Sequence, residues 1–155
     1  MHVLLAALLI GVIAGLRTFT APAAVSWGAR FGWISLAGTH LAFMGSIITA
    51  CILTVLALAE IVLIDPRPGT PSRKAPQGFG ARIVFGGLSG ATIGASGGSL
   101  WVGLLLGVLG AVIGTLGGAA FRGRLAAAFG KDLPAAITED AIAIIGAFVI
   151  VAYLA

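Results

Sequence analysis

From Ile83 to Ala120 the chain runs for 38 residues without a charged side chain, and this stretch constrains the fold more than any other feature. A helix crosses the hydrocarbon core of a bilayer with about 20 apolar residues. The stretch is therefore long for one crossing and just sufficient for two joined by a tight turn. Gly97-Gly98-Ser99 in its middle supplies such a turn, dividing it into a segment from Arg82 to Ser96 and another from Leu100 to Ala120. Charge supports the division. Arg67, Arg73, Lys74 and Arg82 precede the stretch, and Arg122, Arg124 and Lys131 follow it. Short loops rich in Lys and Arg stay on the cytoplasmic side, and two crossings return the chain to that side.

Composition excludes a soluble enzyme. Hydrophobic residues make up 59% of the chain and charged residues 9%, with a mean hydropathy of +1.14. Soluble domains run at about 45–50% apolar and about 25% charged. So few charges cannot clothe a water-facing surface, and the lipid bilayer is the expected partner. The net charge of +4 does not signal nucleic acid, because the basic residues sit in short clusters between apolar runs. Cys51 lies alone within an apolar run and reads as a packing residue. His2 and His40 form no metal constellation with it and no nucleophile motif occurs, so no metal, cofactor or catalytic residue is expected.

The remaining segments complete the expected architecture. Val3 to Leu16 is apolar and leads through Arg17-Thr18-Phe19-Thr20-Ala21-Pro22 into Ala23 to Gly28. Pro22 lacks a backbone donor and Arg17 brings charge inside the segment, so a broken first segment is expected. No Lys or Arg precedes the apolar run, which speaks against a cleaved leader. Phe31 to Ala42 reads as an interfacial connection, and Phe43 to Ile64 as a span ended by Asp65-Pro66. Asp65 to Arg82, with four prolines and four basic residues, is the main polar loop. Pro134 to Ala155 crosses last, with Asp132 as its helix cap. The expectation is an all-α, polytopic membrane bundle of about five transmembrane segments, one domain over residues 1–155, multi-pass with a cytoplasmic N-terminus and the C-terminus outside. Trp27, Trp33, Trp101 and Tyr153 then share the outer face, where an aromatic belt belongs.

Glycines carry the packing signal. Gly86, Gly90, Gly94 and Gly98 recur every four residues, as do Gly103 with Gly107 and Gly110 with Gly114 and Gly118. That spacing sets them on one helix face, where backbones approach closely and gain dispersion contacts that lipid does not supply. Three readings stand side by side: packing within the chain, a homo-oligomer interface, and a permeation path lined by small residues. Leu4, Leu5, Leu9, Val12, Ile13 and Leu16 also match Leu104, Leu105, Leu109, Val112, Ile113 and Leu116 at an offset of 100. With five spans those segments run in opposite directions, as a weak inverted repeat requires.

Ionisable residues within the bilayer are the candidate site, because such groups are costly there and pair or line a cavity. Glu60 and Glu139 both lie about 7 Å inside the cytoplasmic ends of their helices at about 1.5 Å rise per residue, at the level of Arg82, Arg122 and Arg124. Either an ionic latch or a proton- or cation-binding site accounts for them. Arg17 lies about 22 Å along its helix by the same rise, apart from Glu60 unless Pro22 marks a re-entrant turn. It serves either to cap carbonyls freed by the break or to contact an anion. Glu139 and Asp140 point about 100° apart on a helix and do not form an acid/base pair. The loop around Arg73 and Lys74 either contacts lipid phosphates or only orients the chain.

Gly15-Leu16-Arg17-Thr18-Phe19-Thr20-Ala21-Pro22, the stretch from Asp65 to Arg73 with Thr70-Pro71-Ser72-Arg73, Gly130 to Leu133, and Glu139-Asp140-Ala141 together resemble a bacterial family of small membrane proteins known as a domain of unknown function. Where that pattern has a lysine after the aspartate, this chain has Pro66 and then Arg67. The resemblance implies a bacterial inner-membrane protein whose motif residues belong together, and it carries no activity across. The leading expectation is a transporter- or channel-like protein. Arg17, Thr18, Thr20, Glu60, Asp65, Glu139 and Asp140 would bind an ion or solute, with Arg73, Lys74 and Arg82 at the cytoplasmic mouth or on lipid. The alternatives are a lipid-headgroup-binding or lipid-handling protein, and a structural membrane partner without a substrate.

Overall fold

The computed structural model describes residues 2–64 and 75–155. Within them lie six α-helices and no strand: α1 (His2–Leu16), α2 (Thr20–Arg30), α3 (Ile47–Ala59), α4 (Pro76–Ser96), α5 (Leu100–Phe129) and α6 (Asp132–Ala152). A 3-10 turn (Ala42–Gly45) precedes α3 and a π-helical turn (Glu60–Ile64) extends it. Helices α5 and α6 are each long and apolar enough to cross a bilayer, and α1 and α3 are shorter apolar helices. Asp65, Arg73 and Lys74, with the rest of the expected polar loop from Asp65 to Lys74, lie outside the described residues.

The first segment does more than bend. Tyr153 at the end of α6 contacts His2, and Asp140 pairs with Arg17, so α1 runs antiparallel to α6. Gly28 packs on Val151, and Trp33 stacks edge-on against Phe148 with ring centroids 6.4 Å apart. The end of α2 therefore lies beside the end of α6, and the chain reverses direction at Arg17–Phe19. Pro22 supplies the physical cause. Were α1 to continue, the proline ring would clash with the Thr18 carbonyl four residues back, whereas in the first turn of α2 its missing donor is an orphan anyway.

This reversal corrects the expected topology. A single broken span put His2 and Tyr153 on opposite faces; the His2 Nδ1 instead lies 3.2 Å from the Tyr153 hydroxyl. Trp27, Trp33, Trp101 and Tyr153 gather toward this tryptophan end, while Arg82, Arg122, Arg124 and Lys131 mark the opposite, arginine end. His2 thus lies at the end opposite Arg82, Arg122, Arg124 and Lys131.

Glycine builds the core. Helix α4 turns back at Gly97–Ser99, with Gly98 in the left-handed region at φ +71°, and returns as α5. A Cβ on Gly90 would stand 2.7 Å from the Gly107 Cα, and one on Gly94 2.8 Å from the Gly103 Cα. On its other side α5 meets α1, where a Cβ on Gly110 would reach to 2.8 Å from the Val12 amide nitrogen. These glycines thus face the chain's own backbones, the first of the three readings of their spacing. Helices α1 and α5 also run in parallel, Gly11 facing Gly107 and Gly15 facing Thr115. The offset of 100 is therefore a side-by-side match in one direction, and the inverted repeat is not present between these segments. Asp132 does not cap α6; the N-cap is Lys131, and Asp132 turns its carboxylate to Arg122.

Candidate functional site

Where α1 breaks, the amides that open α2 have no helical partners. The N-cap residue Phe19 makes no side-chain cap. Glu60 supplies one from across the bundle. Its two carboxylate oxygens accept from the Thr18 and Phe19 amides, each at 3.0 Å. An anion is stabilised there because the helix dipole is positive at its start. Glu60 is 5% exposed, and the Arg82 guanidinium lies 4.0 Å away. Arg82 also donates to the Gly78 carbonyl at 3.2 Å.

Arg17, 2% exposed, directs its guanidinium at Asp140 in an ion pair through both Nε and Nη2. The neighbouring Glu139, 1% exposed, meets Arg122 at 3.5 Å. Arg122 in turn holds the exposed Asp132 in a two-pronged bond, Nε to Oδ1 at 3.0 Å and Nη2 to Oδ2 at 2.6 Å. The left-handed glycine Gly130, φ +68°, ends α5 and lets α6 fold back so that Asp132 reaches this arginine. Burying charges is costly unless each is paired and hydrogen-bonded; every carboxylate here has a guanidinium within 4.0 Å, while the buried Arg82 Nε makes no hydrogen bond among the described residues.

The result is a ladder of charge pairs in which two acids, Glu139 and Asp140, are neighbours. It begins at the surface with Asp132 and passes through Arg122 to buried Glu139. Next along α6 comes Asp140 with Arg17, and next along the chain come the Thr18 and Phe19 amides with Glu60 and Arg82. Four carboxylates meet three guanidiniums, and two helix amides meet the remaining negative charge.

The structure brings Arg17, Thr18, Glu60, Arg82, Glu139 and Asp140 together, and it corrects the separation of Arg17 from Glu60, because the chain turns at Arg17. Thr18 contributes its main-chain amide. Thr20 stands apart from the ladder: its buried hydroxyl makes no hydrogen bond among the described residues, and the residue lines an apolar cavity between α2, α3 and α6. Asp65, Arg73 and Lys74 lie outside the described residues. Sequence reasoning set Arg122 at the level of Glu60 and Glu139, where it meets Glu139, but took Asp132 for a helix cap and not for a ladder member. Their signal was the turn at Gly130-Lys131 between them. Among the described residues no group of three or more His, Cys, Asp and Glu side chains is arranged to hold a metal ion.

No family model matches the chain, nor does any curated protein or solved structure. Two stretches that carry the resemblance given above, around Arg17 and around Asp140, do meet in space.

Proposed function

We propose that this chain is a multi-pass inner-membrane protein of transporter-like action, in which the charge ladder binds a proton or small cation and couples it to opening of the α1–α2 break. The observation that carries this reading is the series of buried charge pairs from exposed Asp132 to buried Glu60, with two acids, Glu139 and Asp140, side by side at its middle. Intramembrane ionisable groups and discontinuous helices with their amides turned inward are the usual parts of such sites. Glu60 has two positive neighbours, the Thr18 and Phe19 amides just before α2 and Arg82, and neutralising its carboxylate releases both.

The reading entails a topology. Helices α3, α4, α5 and α6 cross the membrane, and α1–α2 form a re-entrant pair entering from the tryptophan end. At about 1.5 Å per residue, α1 with 15 residues rises about 22 Å, short of a bilayer core of about 30 Å. Broad apolar exposure on α3, α5 and α6 supports lipid around them, for example at Val55, Trp101, Leu105 and Phe148. The concentration of arginines supports a cytoplasmic arginine end, with His2 and Tyr153 outside. That is the reverse of the expected position for the N-terminus.

The test is proton uptake into proteoliposomes under an imposed potential, read by an internal pH dye, with a screen of monovalent cations. Wild type raises flux above protein-free vesicles, and Glu60→Gln lowers it about tenfold or more. Equal flux in wild type, Glu60→Gln and Asp140→Asn removes the proposal. A purely structural latch is the second reading, favoured by the pairing of Glu60, Asp132, Glu139 and Asp140, and it gives no flux above empty vesicles.

A further inference from the structure

A cavity of about 360 Å³ lies between α2, α3 and α6. Its size is at the lower end of the range for small-molecule sites, about 300–1,000 Å³. On α2 its wall is formed by Thr20, Ala23, Ala24, Trp27, Gly28 and Phe31, spaced as a single helix stripe. The Trp27 indole, which would otherwise ask for water, donates to the Thr54 hydroxyl at 2.9 Å, and Thr54 donates to the Ala50 carbonyl. Water occupies a cavity only where two or more polar partners await it. These walls offer almost none.

The cavity is partly open, and Leu58, Phe148 and Phe31 of its lining are exposed apolar side chains. In a bilayer that opening meets hydrocarbon. At its tryptophan end Trp27, Phe31 and Trp33 stack at successive centroid distances of 5.6 Å, the aromatic surface found where chains meet headgroups. Arg30 follows directly in the last turn of α2, exposed, and makes no ion pair or hydrogen bond among the described residues. The four acids among the described residues all sit in the ladder toward the arginine end, so none of their carboxylates pairs with Arg30. An anion at headgroup level with a hydrocarbon tail matches both halves of the site.

We propose that the α2–α3–α6 cavity holds one acyl chain of an anionic glycerophospholipid whose phosphate rests on Arg30. This site depends on the bilayer placement but not on the ladder, so loss of proton flux leaves it standing.

The test uses tryptophan quenching in mild detergent by lipids with brominated acyl chains, in a Trp101→Phe background that leaves the cavity tryptophans as reporters. Phosphatidylglycerol quenches saturably, at a midpoint about fivefold below that of phosphatidylcholine, the value of one near-surface arginine. Arg30→Gln raises the phosphatidylglycerol midpoint to that of phosphatidylcholine, and Ala24→Phe, which fills the cavity, abolishes saturable quenching by either lipid. Equal midpoints for the two headgroups, or quenching that rises without saturation, overturn the assignment. Quenching unchanged in a folded Ala24→Phe does so too. Where Ala24→Phe does not fold, the headgroup comparison with Arg30→Gln decides alone.

Discussion

Arg17 and Asp140 are 123 positions apart and form an ion pair in which the arginine side chain is 3% exposed and the aspartate 17%. Removing one partner of such a pair leaves an uncompensated charge and costs about 3 kcal/mol or more. Asp140→Asn is therefore expected to lower unfolding stability in detergent by about that amount. The double variant Arg17→Met with Asp140→Leu, which removes both charges at similar volume, is expected to recover most of it. Denaturant titration of the purified proteins checks both, and a double variant as unstable as Asp140→Asn contradicts the argument. The participation of Arg17, Glu60, Glu139 and Asp140 was legible in the sequence, since a charge inside an apolar run needs a partner. Which charge meets which was not. Asp132 and Arg122 lie near helix ends, where charges ordinarily meet water, and only the turn at Gly130 brings them into the ladder.

At the scale of the helix, glycine decides how closely α1, α4 and α5 approach. Gly90→Ala places a methyl group against the backbones of Gly103 and Gly107, which cannot rotate away. The expected outcome is a loss of about 1–3 kcal/mol, the cost of overpacking. Gly117 and Gly123 lie on the same helix α5 with open space around them. There Gly117→Ala and Gly123→Ala are expected to be neutral or stabilising by up to about 1 kcal/mol, because alanine favours the helix. Thermal unfolding of the three variants side by side separates close packing from helix propensity. The four-residue glycine spacing already announced close contact. It did not name the partners, because a smooth stripe fits any other smooth stripe, and α1 runs alongside α5 in parallel where antiparallel packing was expected.

For the whole molecule, the reversal at Arg17–Phe19 sets both ends of the described chain at the tryptophan end. Replacing Cys51, which is exposed, by serine gives a background for single cysteines at positions 99, 131 and 155. Positions 99 and 155 are expected to react with an impermeant thiol reagent from outside intact cells, and position 131 only after permeabilisation. Reaction of 99 and 131 from the same side contradicts the proposed crossing of α5. The turn expected at Gly97-Gly98-Ser99 is present, with α4 ending at Ser96 and α5 starting at Leu100.

The sequence by itself determined the solvent, the helical class and the main turn, because these depend on sums along the chain: hydropathy, charge count and the length of apolar runs. It also determined which charges must find partners. The tertiary structure alone decided that the first segment doubles back, that Glu60 caps α2, and that the glycine faces close on each other. Those outcomes turn on the direction of one helix after Arg17 and on contacts between residues up to 123 positions apart. Local periodicity does not encode either, because a helix stripe records which face is buried but not what buries it.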